Sequence, residues 1–78
     1  MVRPVVVNAI WDAESKVWIA ESDGVPGLAT GADTLEELVE KLKVAIPELL
    51  AENGISFEAY RLLFKIEAVR SEYANVAA

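Results

Sequence analysis

The chain has 78 residues, of which 54% are hydrophobic, and a formal net charge of −6; this length supports one small domain with a thin core. It contains neither cysteine nor histidine, which excludes disulfides, thiolate sites and the commonest general base and metal ligand. The acidic balance disfavours direct binding to nucleic acid, whose phosphates carry the same charge.

The N-terminal part of the chain predicts a β-hairpin. Residues 4–11 are rich in valine and isoleucine, and residues 17–22 resume that pattern after a polar turn at residues 12–16. The two strands should therefore pair antiparallel. Pro26 cannot donate a hydrogen bond to a strand ladder, so we expect a turn around it and a short third strand at residues 28–30.

Residues 33–53 carry the helical signal. Asp33 and Thr34 both suit the N-cap, because a glutamate follows each of them by three residues. Pro47 lies inside the pattern, so we expect a kink there or a break at which a second short helix begins. Asn53 and Gly54 supply the stop. Apolar residues recur on one face of this helix at Leu35, Leu38, Val39, Leu42, Ala45, Ile46 and Leu49.

Residues 60–73 alternate again and predict a long final strand. Residues 74–78 should form a disordered tail, which leaves residues 1–73 as a single domain. The predicted fold is α+β in the order β-β-β-α-β, a mainly antiparallel sheet with one helix, kinked or not at Pro47, packed on one face. One predicted face of the last strand carries Tyr60, Leu62, Phe64, Ile66 and Ala68, and the other carries Arg61, Leu63, Lys65, Glu67 and Val69.

A single helix can cover only one face of such a sheet, yet the strands carry apolar residues on both faces. Residues 5–7 and 62–64 show this most clearly, whereas a half-exposed strand should alternate more strictly. Contiguous exposed apolar surface usually marks an interaction site. We therefore expect the uncovered face or a sheet edge to be buried against a second chain, which predicts a homo-oligomer.

Nothing in the pattern predicts catalysis. The carboxylates of Asp12, Glu14, Glu21 and Asp23 flank a hairpin and could in principle hold two metal ions. Aspartate and serine at such positions are more often turn formers, and no histidine or basic patch accompanies them. We expect no metal, no cofactor and no enzyme activity.

Two groups of side chains are candidates for protein interaction. Trp11 and Trp18 either pack in the hairpin core or form a partly exposed anchor, since tryptophan is frequent at interaction hot spots; Leu63 is a third apolar candidate. The acidic helix face is either solvated or complementary to a basic partner, and it comprises Glu36, Glu37 and Glu40.

No apolar run approaches the roughly 20 residues that span a bilayer. The first eight residues lack the pattern of a signal peptide. We therefore expect a cytoplasmic protein with no membrane contact.

Several short motifs, taken in order, resemble a known family. Residues 17–38 are similar to the N-terminal domain of HicB-like antitoxins, with an aromatic strand, a proline-glycine turn and a D-T-x-E-E helix start. The whole chain resembles DUF1902, a family of unknown function grouped with HicB. The matching segments are P-V-V-V-N-A-I-W-D at residues 4–12, V-W-I-A at 17–20, V-P-G-L at 25–28, A-D-T-L-E-E-L at 32–38 and I-P-E-L-L at 46–50.

This resemblance implies the strand order above and a role in neutralising a HicA-type mRNA-cleaving toxin. In that role the chain would be a protein-binding module with a HicA-like partner. The alternative is a stand-alone oligomeric scaffold or ligand-sensing domain without a toxin partner.

Overall fold

The computed structural model describes residues 4–54 and 62–77. The predicted α+β class and element order are confirmed. The strands form one sheet in the order β3-β2-β1-β4. β1 pairs antiparallel with β2 and β2 with β3, whereas β1 and β4 are parallel, so the sheet is mixed. The elements are β1 (Val5–Asp12), β2 (Val17–Glu21), β3 (Thr30–Ala32), α1 (Leu35–Glu52) and β4 (Phe64–Val69).

The β1–β2 turn is held by Asp12. Its Oδ1 accepts hydrogen bonds from the backbone N–H groups of Glu14 at 3.1 Å and Ser15 at 3.4 Å, the usual role of aspartate in turns. Lys16 closes the turn with a φ of 56°, and its N–H donates to the Asp12 carbonyl at 2.7 Å. The turn thereby sets a register in which Trp11 lies opposite Trp18.

The third strand begins two residues later than predicted. Residues 25–28 form a turn instead, in which the Leu28 N–H donates to the Val25 carbonyl at 3.1 Å and Gly27 adopts a φ of +86°. Val25 and Leu28 are both buried, so the turn contributes two side chains to the core, and the strand begins only after it, at Thr30. β3 can then pass close to β2 because Gly31 has no side chain; a Cβ there would lie 3.0 Å from the Trp18 carbonyl oxygen.

Helix α1 begins at the second of its two candidate caps. The Thr34 hydroxyl accepts a hydrogen bond from the Glu37 N–H at 3.1 Å, as in a capping box. The helix continues through Pro47 without interruption, so the predicted break is absent. Its C-cap is Asn53, whose side-chain amide donates to the carbonyls of Leu49 and Pro26 at 2.8 and 3.2 Å.

Strand β4 is shorter than the predicted strand, and positions 60 and 61 lie outside the described residues. Within it the predicted faces are confirmed where they bear on the core. Phe64 and Ile66 pack against the core, whereas Lys65 and Glu67 are exposed. Residues 70–77 follow without helix or strand and are exposed throughout.

The core lies on one side of the sheet. Helix α1 packs closest to β3 and β2, and its apolar stripe forms one buried cluster with residues of β1 and β2. No strand residue of the described segments is buried on the opposite side. The part of the chain that the structure describes therefore leaves one face of the sheet uncovered. The buried core comprises Val7, Ala9, Trp18, Ala20, Val25, Leu28, Ala32, Leu38, Leu42, Ile46 and Leu50.

Candidate functional site

The sheet face that points away from α1 is the most distinctive surface of the described chain. Side chains alternate along a strand, so the burial of Val7 and Ala9 against the helix turns their neighbours outward. We call this surface the outer face. Its exposed members within the strands are Val6, Asn8, Ile10, Ile19, Glu21, Lys65, Glu67 and Val69.

Three apolar side chains cross the outer face in a row. Ile10 lies opposite Ile19 in the β1–β2 pairing and beside Val69 in the β1–β4 pairing. Their exposed fractions are 48%, 43% and 64%, respectively. Gly31 lies opposite Ile19 on β3, so no side chain covers that end. We call Ile10, Ile19 and Val69 the apolar row.

Charged residues border the apolar row on one side. Asn8 lies opposite Glu21 on β2 and beside Glu67 on β4, which places two carboxylates next to the row along the strands. Lys65 Nζ lies 3.1 Å from the Glu67 carboxylate. Because these groups are exposed, their pairing contributes little to stability. With Glu21 and Glu67 beside the apolar row, the outer face has an apolar centre and an acidic border.

Of the six residues predicted for interaction, Leu63 lies at this surface. It directly precedes β4 and occupies the same alternating position as Lys65 and Glu67, and it is 56% exposed. Val6, which is also exposed, lies opposite Lys65 on the same face. Leu63 therefore extends the outer face at the end opposite the apolar row.

Trp11 and Trp18 lie on the other side of the sheet. Their rings pack edge to face, with centroids 5.4 Å apart and an interplanar angle of 62°. Trp18 is only 8% exposed, and the Arg70 guanidinium lies 3.8 Å from the centroid of the Trp11 ring. The structure brings the two tryptophans together, as the predicted strand pairing implied, but as part of the core and its rim.

The predicted acidic residues form a separate surface on α1. Glu36, Glu37 and Glu40 are all exposed, and the Glu40 carboxylate lies 2.8 Å from Lys43 Nζ. The six predicted residues thus occupy three places: the outer face, the tryptophan end of the core and the helix surface. Sequence reasoning did not single out Ile10, Ile19 or Val69, because only the strand register shows that they adjoin.

Comparison with known proteins assigns the chain to a family. The model of DUF1902, a domain of unknown function, matches residues 4–78. The chain belongs to the DUF1902 family. It is similar to the crystal structure of a hypothetical protein from the extremely thermophilic bacterium Thermus thermophilus, with 54% sequence identity and a TM-score of 0.79 over 91% of this chain and 99% of the other. None of the curated proteins matches it.

A small cleft lies beside the outer face of this DUF1902 domain. It has a volume of about 330 Å³ and is bounded by the loop after β2. The Ser22 hydroxyl shapes that loop by donating to the Val6 carbonyl at 2.5 Å and accepting from the Gly24 N–H at 3.2 Å. Lining residues are Asn8, Glu21, Ser22, Asp23, Val25, Gly27 and Leu28.

The carboxylates that sequence reasoning weighed as a metal site are dispersed. Asp12 and Glu14 belong to the β1–β2 turn, while Glu21 and Asp23 line the cleft at the other end of β2. Across residues 4–54 and 62–77 no three carboxylates approach closely enough to hold a metal ion. Among the same residues no helix combines the length and apolar character that crossing a membrane requires.

Proposed function

We propose that this DUF1902 domain is a protein-binding module of the HicB-like antitoxin type, which neutralises a HicA-type mRNA-cleaving toxin by covering it. The observation that carries the proposal is the apolar row. Ile10, Ile19 and Val69 adjoin across three strands and remain roughly half exposed or more. Contiguous apolar surface of this kind marks interaction sites on small proteins.

The composition of the outer face suits a protein partner. Protein interfaces combine an apolar centre with a polar rim, and the apolar row has Glu21 and Glu67 on its border. Such a surface binds by covering a partner and needs no reacting group. In this proposal the module acts by association with its partner.

Charge favours a basic partner. A toxin that binds mRNA must present positive groups to the phosphates, and this chain carries a net charge of −6. Opposite net charges accelerate association and disfavour wrong partners. The carboxylates beside the apolar row would then pair with cationic side chains around the RNA-binding surface of the toxin.

Co-expression tests the proposal. The proposal requires a toxin partner, for which the first candidate to test is the product of any short, basic reading frame beside this one; its expression alone should arrest growth. The wild-type chain should restore growth, and the purified chain should block mRNA cleavage at equimolar amounts. Failure of the wild-type chain in both assays would refute the antitoxin function.

Matched variants locate the binding surface. Ile10→Lys with Ile19→Lys places two cations in the apolar row and should abolish rescue, since both side chains are exposed and their loss leaves the core intact. Val44→Lys is the control, because Val44 is exposed on the helix away from the outer face. If Glu36→Lys with Glu37→Lys abolishes rescue and the outer-face variant does not, the toxin binds the helix surface.

The cleft supports a second candidate function, a ligand-sensing domain. Two carboxylates, Glu21 and Asp23, line it together with the Asn8 amide, which suits a small cationic amine. Putrescine should then raise the melting temperature of the wild-type chain and leave that of Glu21→Gln unchanged. An equal response in both proteins would exclude the cleft as its site.

A further inference from the structure

Among the described residues, strand β4 has no partner strand along one of its edges. It lies at one end of the strand order, and the Val5 N–H donates to the Leu63 carbonyl at 2.9 Å. In a parallel ladder with this register, the odd-numbered residues of β4 bond to β1, and the even-numbered ones direct their N–H and C=O groups outward. Phe64, Ile66 and Ala68 therefore offer a free hydrogen-bonding edge that no described residue fills.

The chain after β4 leaves the body of the domain. Residues 70–77, which we call the C-terminal arm, are exposed along their whole length, and Tyr73 and Val76 among them are 105% and 91% exposed. The radius of gyration is 15.0 Å, against about 12 Å for a compact domain of this length. The molecule measures 57 × 26 × 19 Å, so the arm does not fold back on the core.

Arg70, at the base of the arm, contacts both the body of the domain and the arm itself. Its guanidinium lies over the Trp11 ring, and its Nε donates to the Glu72 carboxylate at 2.7 Å. The cation–π contact is of a kind that stabilises an exposed site modestly. Val69 pairs with Ile10, two residues before β1 ends at Asp12, so the arm begins where little of β1 remains for it to pair with.

We propose that β4 and the C-terminal arm pair antiparallel with the same segment of a second copy of this chain, around a two-fold axis at Val69. The two four-stranded sheets then form one continuous sheet, and each arm lies along the β4 edge of the other copy. This dimer goes beyond the proposed function, because it uses the sheet edge and requires no toxin.

The register follows from the hydrogen-bonding edge and from the side chains. With Val69 opposite Val69, the even-numbered residues pair with one another, so every outward N–H and C=O of β4 finds a partner. The two apolar rows also meet, which makes one row of six side chains on the outer face. An axis at Glu67 or Arg70 would instead place like charges directly opposite, which destabilises a strand pair.

Charge selects a second copy over a basic partner at this edge. The segment 64–77 contains two cations, Lys65 and Arg70, and two carboxylates, Glu67 and Glu72, so its charges sum to zero. The net charge of −6 therefore resides elsewhere in the chain. Two copies can meet at the β4 edge without the repulsion that their other surfaces would produce.

The same register gives the arm's exposed apolar side chains a contact. Tyr73 comes to lie opposite Lys65 of the second copy, where its ring can cover the aliphatic stem of that lysine. Val76 comes to lie opposite Leu62 of the second copy, which is half-buried against the core. The dimer thus covers residues that the single chain leaves in water.

Cysteine cross-linking tests the dimer, because the chain has no cysteine of its own. A residue on the two-fold axis between non-hydrogen-bonded positions has a Cα–Cα distance of about 4.5 Å, which is within the range of a disulfide. Val69→Cys should form a disulfide-linked dimer at least tenfold faster than Val44→Cys under mild oxidant. The control position is equally exposed, at 61% against 64%. Equal rates would overturn the proposal, as would faster cross-linking of Glu67→Cys.

A second variant tests the edge without cysteine. Ala68→Pro removes an outward N–H, and proline is tolerated on a strand edge when that N–H is not paired within the domain. Sedimentation equilibrium should give the wild type twice the 8.5 kDa mass of one chain, and Ala68→Pro should weaken dimerisation at least tenfold with its helical circular dichroism retained. A monomeric wild type at high concentration would refute the dimer while leaving the antitoxin assay unaffected.

Discussion

Trp11 and Trp18 lie directly opposite each other on β1 and β2, and their rings meet edge to face with centroids 5.4 Å apart. Trp18 belongs to the core, whereas Trp11 lies at the rim of the core, where the Arg70 guanidinium packs over its ring. The pair joins the hairpin to the chain that follows β4. It therefore couples the fold to the base of the C-terminal arm.

Replacing the buried member of this pair should unfold the domain most readily. Trp18→Ala should lower the free energy of unfolding by about 3–5 kcal/mol, since it deletes a buried aromatic side chain. Trp11→Ala should cost about half as much, because its ring is only half-buried. Urea denaturation followed by circular dichroism measures both values. Equal losses for the two variants would contradict the assignment of Trp18 to the core and Trp11 to its rim.

The helix cap provides a second prediction. Thr34→Ala should destabilise the domain by about 1 kcal/mol, because the Glu37 N–H loses its hydrogen-bond acceptor. Asp33→Ala is the matched control. The N-cap is Thr34 and not Asp33, so this substitution should change the free energy of unfolding by no more than about 0.5 kcal/mol. Thermal unfolding compares the two. A larger loss for Asp33→Ala would mean that the helix begins one residue earlier.

The glycines of the loop after β2 are not equivalent. Gly27 has a φ of +86°, so Gly27→Ala should cost about 1–2 kcal/mol in backbone strain. At Gly24 an added Cβ would meet its nearest neighbours at ordinary distances of 3.7 and 3.9 Å, and Gly24→Ala should stay within about 0.5 kcal/mol. Chemical denaturation should rank the two variants in this order, and the reverse order would show that the turn is set differently.

Pro47 should limit the stability of α1. It lies inside an uninterrupted helix, where proline lacks the N–H for the carbonyl four residues earlier and crowds it. Pro47→Ala should raise the free energy of unfolding by about 1–3 kcal/mol. Glu48→Ala, at the adjacent position, should change it by less than about 0.5 kcal/mol. A destabilised Pro47→Ala variant would show that packing of the proline ring outweighs the restored hydrogen bond.

Local patterns predicted the elements whose signals are contained within a few residues. The helical spacing of Leu38, Leu42 and Ile46 determined α1, and valine and isoleucine runs determined β1 and β2. The third strand was misplaced because a proline turn does not show where pairing resumes. The start of β3 depends on two glycines. Gly27 gives the turn its positive φ, and Gly31 lets the strand pass close to the Trp18 carbonyl on β2.

Only part of the candidate site could be predicted in the same way. Apolar residues on both faces of the strands predicted an uncovered face, and the described structure has one. The identity of its centre required the register, because Ile10, Ile19 and Val69 are far apart in sequence. For the two tryptophans, the hairpin predicted that they pair. It did not predict on which side of the sheet their rings lie.

By itself the amino-acid sequence determined the element order, the two candidate caps of the helix, the acidic charge and the excess of apolar residues over what one helix can cover. These properties depend on the period and chemistry of neighbouring residues. Tertiary structure alone decided that β4 runs parallel to β1 at an edge and that the apolar row forms across three strands. Those outcomes depend on which distant segments pair and in which register, and a strand's own residues leave both choices open.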